Sequence, residues 1–315
     1  MALLPRVTLA IEWDNARDVA PVWVERHLVS LEAELARARP RFEAPPFVTV
    51  LFDPHEANED AVRARIAAHA PKLADLAELS LEAVEGGDYF GLKTAGVIRA
   101  TTEIAILVDC DTAPQPGWLP ALVAPLADPE VVAVAGFTTI AHHDFTSRVC
   151  ALAWVYHLPS EANAKLTKNV MHTNNLALRA DYFRAHPWSW PRGGKKGGAQ
   201  FLRDIEANGR RWLRAPEARL LHAPHRSAAF FVERGWIAGV DQDWIARIKV
   251  GDGRLARIGY ALRHFARNAG RACARIVGKR REVGLPAWQL PAALTLALAH
   301  WGATLARQLG RALCK

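Results

Sequence analysis

The sequence predicts an α/β protein, a mostly parallel sheet sandwiched by helices, followed by a helical C-terminal extension. Three observations carry this reading. Strand-like runs alternate with helical patterns through the first 225 residues, polar and acidic residues collect where those runs end, and charge divides unevenly along the chain. The chain has 315 residues, 50% apolar and 23% charged, enough for one large or two modest domains with a real core. A mean hydropathy of −0.02 excludes a polytopic membrane protein, and the apolar fraction excludes general disorder.

The strand-like runs are Val7–Glu12, Phe47–Phe52, Leu79–Val84, Ile104–Asp109 and Val131–Phe137. Helical patterns lie between them at Val19–Arg39, Glu59–Ala70, Phe90–Thr101 and Trp118–Pro125. In open parallel sheets ligands bind at the carboxyl ends of the strands. Those ends here are Glu12 with Asp14 and Asn15, then Asp53, then Gly86–Asp88, then Asp109–Asp111. The first strand is followed by no GxGxxG, and the chain holds no GxxxxGK[ST], which disfavours dinucleotide and P-loop readings. The glycine- and lysine-rich stretch Gly193–Gly198 follows no strand and reads as an active-site loop.

The net charge of +8 could suggest nucleic acid, but its distribution argues otherwise. Residues 1–225 carry 24 Lys/Arg against 27 Asp/Glu, a net of −3; residues 226–315 carry 16 against 5, a net of +11. Within 245–281, Leu255, Ile258, Leu262, Phe265, Ala269 and Ile276 form one helical stripe, beside Arg263, Arg267, Arg271 and Arg275. Such a helix either lies on an anionic membrane surface or packs its stripe on the body. Residues 283–306 then hold no Asp, Glu, Lys or Arg, with Trp288 and Trp301 placed as interface aromatics could be. Pro286, Gln289, Pro291 and His300 interrupt the segment, so a re-entrant or half-buried helix fits better than a full span. The expectation is peripheral or monotopic attachment to the membrane through 245–306, with no nucleic-acid partner. Four scattered cysteines (Cys110, Cys150, Cys273, Cys314) without a CxxC exclude zinc ribbons and disulfide scaffolds. The start reads as a strand rather than a secretory signal, so the expected side of the membrane is the cytoplasmic one.

The run Ile104–Asp111 is a buried strand ending in Asp109-Cys110-Asp111. Burying two carboxylates is costly unless a cation or hydrogen-bond donors meet them. Mg²⁺ and Mn²⁺ favour such oxygen ligands together with phosphates, while an Asp pair at a turn also reads as a helix N-cap. Around this motif stand Lys93-Thr94-Ala95-Gly96-Val97-Ile98-Arg99-Ala100 and Pro114-x-x-Gly117-Trp118-Leu119. Later come Asn174-Asn175-Leu176-Ala177-Leu178-Arg179 and the stretch Gly209–His222. In this order, over residues 5–225, the motifs resemble family 2 glycosyltransferases of the GT-A fold.

The resemblance implies a catalytic, nucleotide-sugar-binding domain over 1–225, which the basic amphipathic and apolar helical tail over 226–315 follows. It implies that Asp109 and Asp111 bind ribose and, through Mg²⁺ or Mn²⁺, the diphosphate of a nucleotide-sugar, with UDP the expected nucleotide. Glu12, Asn15 and Asp53 would line the base and ribose pocket, Lys93 would sit near the nucleotide, and His222 would complete the metal shell; His222 also reads as an ordinary strand-end histidine. Trp188 and Trp190 would stack on a sugar or pack in the core. The basic helix and apolar segment suit a glycan or lipid-linked acceptor of the cell envelope, and the resemblance implies an inverting reaction. One departure stands out: Ala199 and Gln200 occupy the positions where the family carries a Glu-Asp pair whose Asp is the general base. Gln200 can only orient an acceptor, and Asp204, at i+4 on the same helix face, is the nearest replacement; Glu206 is not on that face. Two rivals remain: a membrane-bound scaffold that has lost catalysis, and a sugar nucleotidyltransferase, which should carry a basic Gly-rich loop where this chain has Glu-Trp-Asp-Asn.

Overall fold

The computed structural model describes residues 3–162, 171–188 and 198–314. They form two compact units, Met1–Thr139 with Pro159–Ala223, and Ile140–Leu158 with Pro224–Lys315. The first unit holds a sheet of eight strands among the described residues: β1 (Val7–Glu12), β2 (Phe47–Phe52), β3 (Glu78–Ala83), β4 (Ile104–Asp109), β5 (Thr112–Pro114), β6 (Val131–Ile140), β7 (Asn175–Arg179) and β8 (Arg211–His222). Their spatial order is β3-β2-β1-β4-β7-β6-β8-β5. The helices are α1 (Pro21–Ala38), α2 (Glu59–His69), α3 (Leu73–Leu76), α4 (Tyr89–Arg99), α5 (Trp118–Val123), α6 (Phe145–Ala153), α7 (Ala180–Ala185), α8 (Gly198–Ala207), α9 (Ala228–Val250), α10 (Arg254–Lys279) and α11 (Leu290–Leu313).

Strands β3, β2, β1 and β4 are parallel, and the sheet is mixed beyond them: β7 runs antiparallel to both β4 and β6, and β5 antiparallel to β8. The central strands are buried on both faces, which is why VTLAIE and IAILVD read as nearly continuous apolar runs. Alternate side chains enter two different cores. Leu9, Ile11, Val50, Ile106 and Val108 pack with Val24, Leu28, Leu31 and Leu35 of α1. Ala10, Leu51, Ala105 and Leu107 pack with Leu92 and Val97 of α4 and with Phe183 and Phe201. The stretch Gly209–His222 forms one continuous strand, β8, from Arg211 to His222. Only its last residues, Leu220–His222, pair with β5, so the missing N–H of Pro216 interrupts no bond to that neighbour.

Helix α4 carries its side chains to the carboxyl edge of the sheet, and two local features fix its position. Asp88 caps it, accepting from the Gly91 N–H at 2.8 Å, a contact worth about 1 kcal/mol. Gly96 then brings the helix onto the sheet so closely that a Cβ there would stand 2.5 Å from Ala10 Cβ. On the opposite face His27 of α1 is fully buried and donates from Nδ1 to the Thr112 carbonyl at 2.5 Å, tying α1 to β5.

In the second unit α11 packs along α9 where Gly235 and Gly239 face the backbone of His300 and Thr304. Thr304 donates to the Gly235 carbonyl at 2.8 Å, and His300 Nδ1 lies 2.7 Å from the Phe231 carbonyl. Asp243, buried on α9, is held by Arg257, Arg247 and Arg311. The residue 283–306 segment therefore turns an inner face of Ala293, Ala297 and Trp301 to helix neighbours. Trp301 belongs to this core, while Trp288 is 78% exposed. No described helix is long and apolar enough to cross a membrane.

Burial, opposed by the Thr112 hydrogen bond and then the Asp109 charge, lowers the His27 pKa from 6.5 to about 4. Between those values the unfolded chain binds the extra proton, so stability is full above pH 6.5 and declines as pH falls toward 4. Urea unfolding should show His27→Asn losing about 2 kcal/mol less than the native chain between pH 7 and pH 5. Identical losses in the two proteins would refute this assignment.

Candidate functional site

Strands β1 and β4 lie side by side in a register that pairs Glu12 with Asp109, so both carboxylates emerge at the carboxyl edge of the sheet. The chain leaving β1 turns at once, and the Asn15 N–H donates to Glu12 Oε1 at 2.9 Å. That turn aims the Asn15 side chain back at β4, where Nδ2 donates to Asp109 Oδ2 at 3.1 Å. The Tyr89 hydroxyl donates to the same oxygen at 3.1 Å. Oδ1 of Asp109 forms an ion pair with Lys93 Nζ. The ammonium also donates to the Tyr89 hydroxyl at 2.7 Å and the Thr173 carbonyl at 2.9 Å. Lys93 and Asp109 are both buried. The cost of burying each charge is offset by the other and by these neutral partners.

Beyond Asp109, the Thr112 hydroxyl donates to the Asp109 carbonyl at 2.7 Å. The short β5 then pairs Thr112 with His222 at the end of β8. That register brings the His222 ring to Asp111, with Nε2 3.6 Å from Oδ2. Nδ1 of His222 lies 2.6 Å from the Ala223 carbonyl. A carbonyl only accepts, so Nδ1 carries the proton and Nε2 is the nitrogen turned toward Asp111. Ligand atoms of Asp109, Asp111 and His222 all fall within 4.8 Å of one another, and all three residues are buried. Two carboxylates and one imidazole suit Mn²⁺ or Mg²⁺, the nitrogen favouring the softer Mn²⁺. Cys110 does not join the set. Its thiol packs in the α1-side core, and burial, with Glu12, Asp111 and Asp109 nearby, pushes its pKa well up, away from a metal-binding thiolate.

The other expected residues divide. Asp53 follows β2 at the same sheet edge as Glu12, with Oδ1 accepting from the His55 N–H at 3.0 Å. Gln200 and Asp204 lie on α8, where Gln200 Nε2 donates to Asp204 Oδ1 at 2.7 Å; this is the shared helix face that the i, i+4 spacing requires. Glu206 instead accepts from the Trp212 indole at 3.0 Å. Trp188 is core: it packs against Phe90, Phe183 and Phe201 and donates to the Thr94 hydroxyl at 2.7 Å. Trp190 and residues 193–197 lie outside the described residues. The resemblance places Lys93 beside the nucleotide; the structure sets it beneath Asp109 with no solvent exposure.

Two further participants, Tyr89 and Thr173, do not stand out in the sequence. Tyr89 has a local signal, standing four residues before Lys93 at the start of the same helix. Thr173 has none, because its approach depends on β7 crossing to pair with β4. It also touches the start of α8, where a Cβ on Gly198 would lie 2.6 Å from the Met171 carbonyl and 3.1 Å from the Thr173 methyl.

No family model matches this sequence, and no curated protein matches it. Solved structures do share the fold. The mannosyltransferase PcManGT from Pyrobaculum calidifontis, solved with GDP-Man and Mn²⁺, is 19% identical with a TM-score of 0.56, over 96% of this chain and 87% of that one. S. aureus TarS 1–349, solved with UDP, is 10% identical with a TM-score of 0.51, over 98% of this chain and 92% of that one. At such identities the likeness is one of fold alone: the α/β architecture described above is like that of GT-A glycosyltransferases.

Proposed function

We propose that this chain is a glycosyltransferase that moves a sugar from a nucleoside diphosphate, UDP in the first instance, to a hydroxyl of a membrane-proximal glycan or lipid-linked acceptor. The observation that carries the reading is the convergence of Asp109, Asp111 and His222 at the carboxyl edge of the sheet. A divalent cation held there would supply a Lewis acid to neutralise the departing diphosphate. Asp111 and His222 would hold it, with Asp109 oriented toward it and the ribose by Asn15, Tyr89 and Lys93. Glu12, Asn15 and Asp53 share the adjoining edge and form the proposed base and ribose pocket.

In a single displacement, the acceptor oxygen bonds to the anomeric carbon as the bond from that carbon to the diphosphate oxygen breaks, inverting the centre. The acceptor proton passes to Asp204, whose orientation is set by the Gln200 amide. The second unit supports membrane proximity. Phe265, Ala269, Ala272 and Ile276 of α10 pack inward, which leaves Leu255, Leu262 and Val277 exposed on the face that also bears Arg263 and Arg267. An exposed apolar stripe beside arginines fits an anionic lipid surface, each basic residue near the headgroups contributing about 1 kcal/mol. The protein is accordingly proposed to bind peripherally, on the cytoplasmic face.

The central test is binding of UDP, with GDP in parallel, in the presence and absence of Mn²⁺. The native chain should bind a nucleoside diphosphate in a Mn²⁺-dependent manner, and Asp111→Ala should weaken that binding by about 100-fold or more. A native chain indifferent to Mn²⁺ with both nucleotides would defeat the donor-site reading. Asp204→Asn should bind nucleotide normally while sugar transfer drops by about 100-fold or more. Undiminished transfer would remove Asp204 as the base, and binding without any turnover in the native chain would favour the scaffold reading. For the membrane, Leu255→Glu with Leu262→Glu should abolish flotation with phosphatidylglycerol vesicles, and salt should weaken it in the native chain. Equal flotation of variant and native protein would exclude this face.

A further inference from the structure

Lys93 is the one buried cation joined to the carboxylate cluster among the described residues, and its bonding limits what it can do. An ammonium has three protons to donate. Those of Lys93 are taken by Asp109 Oδ1, the Tyr89 hydroxyl and the Thr173 carbonyl. The charge also lies 4.0 Å from the centre of the Tyr89 ring. No donor remains to reach a phosphate, so Lys93 acts on the site only through Asp109 and through its field. Asp109 is correspondingly engaged: Lys93 occupies one oxygen, and Asn15 and Tyr89 the other. Three of the roughly four lone-pair directions of that carboxylate are spent before any ligand arrives.

We propose that Lys93 makes cation binding at Asp109, Asp111 and His222 conditional on the nucleoside diphosphate. The inference rests on the donor site proposed above. Asp109, Asp111 and the fixed ammonium sum to a single negative charge to set against a divalent cation, with Glu12, the neighbouring carboxylate of the edge, turned to the Asn15 N–H. The ammonium is buried, so its repulsion of that cation is poorly screened by water. A cation alone thus meets Asp111, the His222 imidazole and a largely committed Asp109. The diphosphate brings the missing anionic oxygens and offsets the repulsion, so cation and nucleotide enter the site as a pair. Lys93 is therefore a positioning residue, and its removal should have opposite effects on the two ligands. A role confined to packing would weaken both together.

The experiment measures Mn²⁺ binding by the electron paramagnetic resonance signal of the free ion, without nucleotide and with saturating UDP or GDP. The native chain should bind Mn²⁺ at least about tenfold tighter when nucleotide is present. Lys93→Gln removes the charge and retains two amide protons on a side chain one bond shorter, and Tyr89 and Asn15 remain as donors to Asp109. It should bind Mn²⁺ alone about tenfold tighter than the native chain and respond much less to nucleotide. Lys93→Arg, which retains the charge, should retain the dependence on nucleotide. The inference is overturned if Lys93→Gln leaves Mn²⁺ affinity unchanged, or lowers it in step with nucleotide affinity. It is also overturned, with the donor site left standing, if the native chain binds Mn²⁺ equally with and without nucleotide. A native chain that binds no Mn²⁺ under either condition would overturn the donor site and this inference together.

Discussion

A carboxylate buried as deeply as Asp109 is tolerable only where donors have been brought to it, and much of the first unit can be understood as supplying them. An uncompensated buried charge costs several kcal/mol, a large share of a domain's total stability. Lys93 can reach Asp109 because α4 lies hard against the sheet, which Gly96 permits by presenting no side chain to Ala10. Asn15 can reach it because the turn after β1 is closed by Glu12. Tyr89 reaches it from the first residue of α4, whose start is set by the Asp88 cap. Each of these local devices is ordinary. Their convergence on one oxygen pair is what gives the sheet edge a preformed polar centre.

Much of this arrangement is legible in the sequence, for identifiable reasons. The strands β1, β2 and β4 are recognisable because strands buried on both faces must be apolar throughout, and their first polar residue marks the sheet edge. Asp109, Asp111, Glu12 and Asn15 follow from that rule. The antiparallel half is less legible, since β7 and β8 pair with β4 and β5 across long sequence separations that no local pattern encodes. The depth of Lys93 escapes the sequence for a related reason. Its neighbours in the chain place it on a helix beside the strand end, but only Thr173 and Asp109, brought in by β4 and β7, show that its ammonium points inward.

In the second unit the apolar segment divides between helix packing and exposed surface. On its inner face the residue 283–306 segment packs along α9, where glycines at 235 and 239 admit its backbone closely, while Trp288 and Leu298 stay exposed. The polar groups it carries are spent internally: Thr304 on the Gly235 carbonyl and His300 at the Phe231 carbonyl. Basic helix α10 divides likewise, its single sequence stripe lying part inside and part facing out. The exposed part supports the proposed lipid contact.

The missing acidic pair at Ala199 and Gln200 then acquires a specific meaning. If Asp204 is the base, proton acceptance has moved four residues, about 6 Å along α8. Gly198, at the start of that helix, is seated against Met171 and Thr173, and the Thr173 carbonyl is bonded to Lys93. The ammonium bonded to the proposed donor carboxylate thus also holds the residue against which the helix bearing the proposed base begins. A base displaced along a helix anchored in this way demands an acceptor hydroxyl displaced with it, while the donor half keeps its arrangement. Any chemical novelty in this chain should accordingly be sought in the acceptor it accommodates rather than in the nucleotide it binds.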